Sequence, residues 1–101
     1  MSVEGKWNVT MDTPLGTLRF AWEFTNANGQ WEGRMLGQGP ISDSQLHDIR
    51  VSGDSVSFKT TTTSPMGPID LTFEGNIADG RLSGRCKTRF GDNDFSAVRG
   101  A

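Results

Sequence analysis

Few side chains in this 101-residue chain could carry out acid–base or nucleophilic chemistry. It has one histidine, His47, and one cysteine, Cys86. Strand alternation places His47 on the outside, whereas a register shifted by one residue would bring it inside as a proton-transfer group or haem ligand. Cys86 is expected to be a small, inert core residue, because it occupies an inward-facing strand position and a buried Cys behaves as a small apolar side chain. With no second His, no Cys pair and no cluster of carboxylates, we expect neither a metal nor a cofactor.

Three charged residues have the same parity as inward-facing positions of their strands: Asp48, Arg50 and Arg99. A buried charge must be paired or stacked. For Arg99 the sequence offers two partners, the carboxylate of Asp48 and the ring face of Trp7.

Threonine hydroxyls are the other polar groups that could face an interior. Thr60, Thr62 and Thr88, together with Cys86, flank one predicted strand from both sides. They could bind the polar part of a ligand, or they could be present only because Thr favours strands.

The stretch at residues 12–24, DTPLGTLRFAWEF, shows how such side chains would be positioned. Pro14 and Gly16 are typical of a tight turn. The following residues alternate between apolar and other types, which predicts a strand with one face in the core. The same design returns at Pro65 and Gly67.

This similarity extends along the chain at an offset of 51 residues and indicates two duplicated halves of four strands each. Coincidence between two hairpins is the alternative, since such turns are common. Gly33 and Gly84 correspond at this offset and suggest bulges or bends, or else the close approach of a ligand. The predicted strands cover residues 5–11, 17–26, 30–36, 44–51, 55–63, 69–76, 81–89 and 94–99.

Short connections favour antiparallel pairing of sequence neighbours. The sequence therefore predicts an all-β fold, a single domain over residues 1–101, in which eight antiparallel strands form an up-and-down meander barrel. A sandwich of two sheets is the alternative.

The connections of such a barrel fall into two kinds. One end has tight polar turns, at residues 28–29, 53–54 and 79–80. The other has longer connections with apolar residues, and we call this end the mouth; its apolar residues are Leu15, Pro40, Ile41, Met66 and Phe90. They could surround an opening or fold inward as a hydrophobic plug.

An eight-stranded barrel is wide enough to be filled by side chains or to hold one small ligand. The larger aromatic residues lie toward the tight-turn end, which leaves smaller and polar side chains near the mouth. The predicted ligand-binding residues are Met11, Leu18, Phe20, Met35, Thr60, Thr62, Leu71, Cys86 and Thr88.

Gly5 and Trp7 on the first strand, with Arg99 on the last, resemble the closed-end signature of the calycin superfamily: lipocalins, fatty-acid-binding proteins and avidins. The resemblance implies an eight-stranded meander barrel that binds a small ligand through its open end. It also implies structural roles for Trp7 and Arg99 at the closed end. The chain has no second lipocalin motif, no disulfide and no C-terminal helix, and its tight loops are more similar to those of avidins.

These patterns predict binding of a small apolar or amphipathic molecule. An isomerase, cyclase or hydratase that uses the same cavity is the alternative, and a filled barrel that serves as an interaction module is a third. The net charge of −2 gives no reason to expect nucleic acid or membrane insertion. Without a leader-like segment or a cysteine pair we expect a cytoplasmic protein, and a homodimer is one assembly that its strands could form.

Overall fold

The computed structural model describes residues 3–14, 16–37, 42–64, 67–89 and 91–100. Eight strands follow one another without a helix in these residues. Each strand pairs antiparallel with its sequence neighbours, and β1 pairs with β8, so that the sheet closes into a barrel. The predicted meander barrel is confirmed, with strands β1 Gly5–Thr13, β2 Gly16–Ala27, β3 Gln30–Leu36, β4 Ser44–Ser52, β5 Ser55–Ser64, β6 Gly67–Ala78, β7 Arg81–Thr88 and β8 Gly91–Arg99.

The two ends of the barrel differ in their turns. At the closed end, Asn28–Gly29 and Asp79–Gly80 have positive φ at both central positions, the geometry of a two-residue hairpin turn that matches strand twist. At the mouth, the strands β2, β6 and β8 begin at Gly16, Gly67 and Gly91, whose φ angles are +118°, +100° and +118°. The predicted apolar rim of the mouth, at residues 15, 40, 41, 66 and 90, lies outside the described residues.

An equivalent threonine hydrogen bond occurs beside two of these mouth connections. Thr13 Oγ1 donates to the Gly16 carbonyl over 2.7 Å, and Thr88 Oγ1 donates to the Gly91 carbonyl over 2.9 Å. The Thr and Gly residues that flank the β7–β8 connection therefore repeat a contact made beside the β1–β2 connection. Strands β2 and β6 begin 51 residues apart, as do β3 and β7. These equal offsets agree with a duplicated half-barrel, which remains a prediction.

The core is an aromatic cluster centred on Trp22, which is fully buried. Its ring centroid lies 4.8 Å from that of Phe58, 5.0 Å from Phe73 and 5.3 Å from Phe95, each in an edge-to-face arrangement. Such pairs add about 0.5–1.5 kcal/mol each to the free energy of burial. Because these rings come from β2, β5, β6 and β8, they join opposite walls of the barrel.

A β-bulge in β4 reverses the strand's alternation. The pairing of β4 with β5 shifts between His47 and Arg50, and Asp48 has a φ of +53°. An extra residue moves every later side chain to the other face of a strand. The parity that placed Asp48 and Arg50 inward was therefore wrong: both are exposed, and Ile49 packs against the core instead.

Gly33 and Gly84 are not bulges, because the strand register passes through both without a shift. They mark close backbone approaches. A Cβ atom on Gly84 would lie 2.0 Å from the Glu74 carbonyl oxygen and 2.6 Å from the Cα of Gly75. A Cβ atom on Gly75 would in turn lie 3.0 Å from the ring of Phe95. Gly75 therefore leaves space for the Phe95 ring, and Gly84 permits the close approach of the β6 backbone.

Candidate functional site

The predicted ligand-binding residues all lie on the inward faces of their strands. Seven are buried in the barrel, whereas Leu18 and Thr88 are partly exposed near the mouth. Met35 and Cys86 pair with Trp22 and Phe73, so they belong to the aromatic core. The others lie between that core and the mouth and, with Ile69 and Asn93, form what we call the upper interior: Met11, Leu18, Phe20, Thr60, Thr62, Ile69, Leu71, Thr88 and Asn93.

The upper interior has two facing walls. On one, Met11 pairs with Leu18 and Phe20 follows on β2. On the other, Thr60 pairs with Leu71 between β5 and β6. Phe20 reaches across toward this wall, with its ring centroid 6.1 Å from that of Phe73. The strand pairing therefore brings an apolar wall and a partly hydroxylated wall together over one aromatic floor.

The threonine hydroxyls of this wall bind strand β4 and the segment before it. Thr60 Oγ1 donates to the Gln45 carbonyl over 2.8 Å and lies 2.7 Å from Ser44 Oγ. Thr62 Oγ1 donates to the Ser42 carbonyl over 3.0 Å and lies 3.2 Å from Ser42 Oγ. Each hydroxyl proton therefore has a protein acceptor. A hydroxyl oxygen has two lone pairs, so each threonine can still accept one further hydrogen bond.

Charge is nearly absent from the inward positions. Among the described residues at inward-facing strand positions, only Arg99 has a charged side chain, and it is exposed at the closed end instead of buried. Its guanidinium carbon lies 4.4 Å above the centroid of the Trp7 ring, and its Nη1 donates to the Glu4 carbonyl. Of the two partners considered for Arg99, the structure thus shows Trp7.

The segment before β1 completes this closed end. Trp7 Nε1 donates to the Val3 carbonyl over 2.8 Å, and Val3 itself is fully buried. The Glu4 carboxylate accepts a hydrogen bond from the backbone N–H of Asn26, 3.1 Å away. The apolar base of the barrel is therefore covered by residues 3–5, and its polar groups have partners.

The thiol of Cys86 is poorly suited to nucleophilic chemistry. The side chain is fully buried. Burial, with a smaller contribution from the charge of Asp92, raises the pKa of Cys86 to about 12. Since the thiolate is the reactive form, this thiol stays protonated at neutral pH.

His47 and Asp48 lie on the outer wall. Both side chains are more than half exposed, and His47 Nδ1 lies 3.6 Å from Asp48 Oδ2. The outward position predicted for His47 is the one observed. The enzyme alternative named these two residues, together with Arg99 and Cys86, as possible acids or bases. Of the four, His47 and Asp48 lie outside the barrel.

Three polar groups of the interior were missed by sequence reasoning. Ser44 contacts Thr60, as described above. Asn93 is half-buried on the inward face of β8, and its amide makes no hydrogen bond in the described structure. Its alternation with Phe95 and Ala97 was the signal that could have found it. The third group is the indole N–H of Trp22.

Trp22 Nε1 is fully enclosed and has no hydrogen-bond partner. Among the described residues, it is the only buried side-chain nitrogen or oxygen atom that lacks one. Five phenylalanine rings surround the indole within 6.2 Å of its centroid. They offer ring faces, which are weak acceptors, in place of oxygen or nitrogen atoms. An unpartnered buried donor costs about 1–3 kcal/mol. The Trp22 indole is thus one unused donor in the aromatic core next to the upper interior.

The outer wall carries two open grooves of about 630 Å³ each. One crosses β4 to β7 and includes Arg50, Glu74 and Arg85. The other lies where β3 and β4 separate below Gly33, beside the half-buried Trp31. Ion pairs such as Glu74–Lys87, at 2.9 Å, line this exterior, and the hydrogen bond with Glu74 raises the pKa of Lys87. Exposed pairs of this kind contribute little to stability.

Two classes of site have no basis in this part of the chain. In the described residues, three or more His, Cys, Asp or Glu side chains do not come together in a way that could hold a metal ion. A helix long and apolar enough to cross a bilayer is likewise missing from them.

The fold and the interior define a class: a closed eight-stranded meander barrel with a stoppered base and an uncharged upper interior. No protein-family model, curated protein or solved structure matches the chain. The barrel expected from the calycin resemblance is therefore shown, while membership of that superfamily remains a prediction.

Proposed function

We propose that this protein binds a small apolar or amphipathic molecule in the upper interior of its barrel. The observation that carries the proposal is the graded interior. Rings pack densely around Trp22, whereas the inward positions toward the mouth carry aliphatic side chains, hydroxyls, one amide and a single ring, that of Phe20. Apolar walls with a few polar groups are typical of small-molecule sites.

Solvent reaches the inward faces of the strands at the mouth. Leu18 and Ile69 pack against the core but are only partly buried, and so are Thr88 and Asn93. These four residues lie on β2, β6, β7 and β8 at the end of the barrel where a ligand would enter. Because Met11 and Thr60 are buried in the present state, a ligand would take its place by displacing side chains of the upper interior. Met11 suits this role, since methionine adopts many conformations at low cost.

Binding is favoured over catalysis because the interior lacks an evident acid or base. His47 and Asp48 face outward, Arg99 stacks on Trp7, and Cys86 remains a neutral thiol. General acid–base catalysis needs such a group within hydrogen-bond reach of the substrate. The described interior supplies shape and hydrogen bonds, which are the requirements of a binding protein.

The test uses N-phenyl-1-naphthylamine, an uncharged fluorescent probe, and two matched variants of β2. Leu18→Trp fills the mouth from an inward, partly exposed position, whereas Thr17→Trp adds the same ring on the exposed outer face. We expect saturable one-to-one binding that Leu18→Trp weakens at least tenfold and Thr17→Trp leaves within twofold. Thermal melting verifies that both variants fold, and Leu18→Phe replaces Leu18→Trp if the latter does not. Absence of saturable binding, or equal affinities of the two variants, would overturn the proposal.

A further inference from the structure

The unused donor at Trp22 and the absence of charge around it restrict what the barrel can hold. Resting on the function proposed above, we infer that the ligand is an uncharged molecule with a hydrogen-bond acceptor, such as a ketone, ester or ether oxygen. The Trp22 indole N–H would bind this acceptor, and carboxylates would be rejected.

The argument begins with the donor. Trp22 Nε1 has no partner, whereas Trp7 Nε1, also on a fully buried indole, donates to Val3. Buried polar groups in proteins nearly always have hydrogen-bond partners, so an exception needs a specific explanation. The aromatic rings around Trp22 supply only their faces, which bind an N–H less strongly than an oxygen does. A ligand oxygen that reached this depth would gain a hydrogen bond at little desolvation cost to the protein, because the N–H is already out of water.

The second step concerns charge. A carboxylate moved into an apolar interior must find a cation or several strong donors. The described inward positions offer one cation, Arg99, at the opposite end of the barrel beneath Trp7. Around the upper interior, the hydroxyl protons of Thr60 and Thr62 are already donated to backbone carbonyls. Only the amide of Asn93 and the Trp22 N–H remain as donors, which is too few for an anion.

The third step matches ligand size. The acceptor must lie at the deep end of the molecule, since Trp22 forms the floor, and the apolar part then lies against Met11, Phe20 and Leu71. A barrel of eight strands can hold one small ligand, so the test compounds are flat molecules of about ten non-hydrogen atoms. Acetophenone has this composition, ethylbenzene is its counterpart without the oxygen, and benzoate is its counterpart with a charge.

The experiment measures displacement of N-phenyl-1-naphthylamine by these three compounds and follows the indole N–H resonances in ¹H–¹⁵N spectra. We expect acetophenone to bind at least fivefold more tightly than ethylbenzene, and benzoate to bind at least tenfold more weakly than acetophenone at pH 7.5. Acetophenone should shift the Trp22 resonance and leave that of Trp7 in place.

Two variants isolate the donor. Trp22→Phe removes the N–H and should reduce the affinity for acetophenone to that for ethylbenzene. Trp7→Phe removes the partnered N–H at the closed end and should preserve the preference for acetophenone. If neither the probe nor any compound binds, the proposed function itself fails. If the compounds bind but benzoate competes as well as acetophenone, or the Trp22 resonance stays unmoved with acetophenone bound, only the present inference is overturned.

Discussion

The guanidinium of Arg99 lies on the ring of Trp7, 4.4 Å from its centroid, and this contact joins the last strand of the barrel to the first. The two residues also face each other in the β1–β8 pairing. The same guanidinium donates to the Glu4 carbonyl, which fixes the segment that covers the base. One side chain therefore contributes both to the closing strand pair and to the cover of the base.

Arg99→Lys tests this dependence. Lysine keeps the charge but loses the planar group that stacks on an indole and the fork of donors that binds a carbonyl. We expect a loss of about 1–2 kcal/mol in the free energy of unfolding, measured by urea denaturation. Arg34→Lys is the control, because Arg34 forms an exposed pair with Glu23 and should change stability by less than about 0.5 kcal/mol. Equal losses in the two variants would contradict a special role for the stack.

Gly5 is expected to be required for the same contact. It has a φ of +113°, and a Cβ atom there would lie 2.9 Å from Nη1 of Arg99. Gly16 is a matched control, with a φ of +118° and no atom within 4 Å of a Cβ. Both alanine variants should lose about 1–3 kcal/mol through backbone strain. Gly5→Ala should lose about 1 kcal/mol more than Gly16→Ala, and this excess should vanish when Arg99→Ala is added.

Gly84→Ala should be among the most damaging single substitutions in the chain. The added Cβ would lie 2.0 Å from the backbone oxygen of Glu74, so that β6 and β7 would have to separate. We expect a loss on the order of 3 kcal/mol or more in denaturant unfolding. Gly33→Ala meets its nearest atoms, including Leu46 Cδ1, at 3.0–3.1 Å and should cost about 1 kcal/mol. A smaller loss of unfolding free energy for Gly84→Ala than for Gly33→Ala would show that β6 and β7 can separate at little cost.

The buried thiol of Cys86 should make stability depend on pH above neutrality. Its pKa is about 12 in the folded protein against 9.0 as the ordinary value. The unfolded chain therefore releases the proton first, and the folded state loses stability as the pH rises from about 9 toward 12. The slope is at most about 1.4 kcal/mol per pH unit. Cys86→Ala lacks this contribution. The free energy of unfolding of the wild-type protein minus that of Cys86→Ala should therefore fall over that pH range. A constant difference would contradict the burial argument.

The same burial should protect the thiol from reagents. Ellman's reagent should leave Cys86 unmodified in the folded protein at pH 8 and modify it after unfolding in urea, because the thiolate is the reactive form. Rapid modification under native conditions would show that the interior opens readily.

The site could be predicted from the sequence only in outline. Alternation along residues 18–24 identifies the inward face of β2 because a strand's side chains point alternately to its two sides. The same rule failed for Asp48, since a bulge adds a residue and a sequence does not show where pairing partners will demand one. Asn93 was missed for a related reason: its position matters only because β8 pairs it with Cys86 of β7, at the edge of the aromatic core.

By itself the sequence determined the local features: eight strands, their turns and the residue types that face a core. Turn residues and period-two alternation depend on near neighbours in the chain, so they can be recognised from the sequence alone. Only the tertiary structure decided which polar groups would have a hydrogen-bond or stacking partner. The hydroxyls of Thr60 and Thr62 found acceptors near β4, Arg99 found Trp7, and the Trp22 N–H found none. Hydrogen bonds and stacking depend on distances of a few ångströms between strands that are far apart along the chain, and closure of the barrel sets those distances.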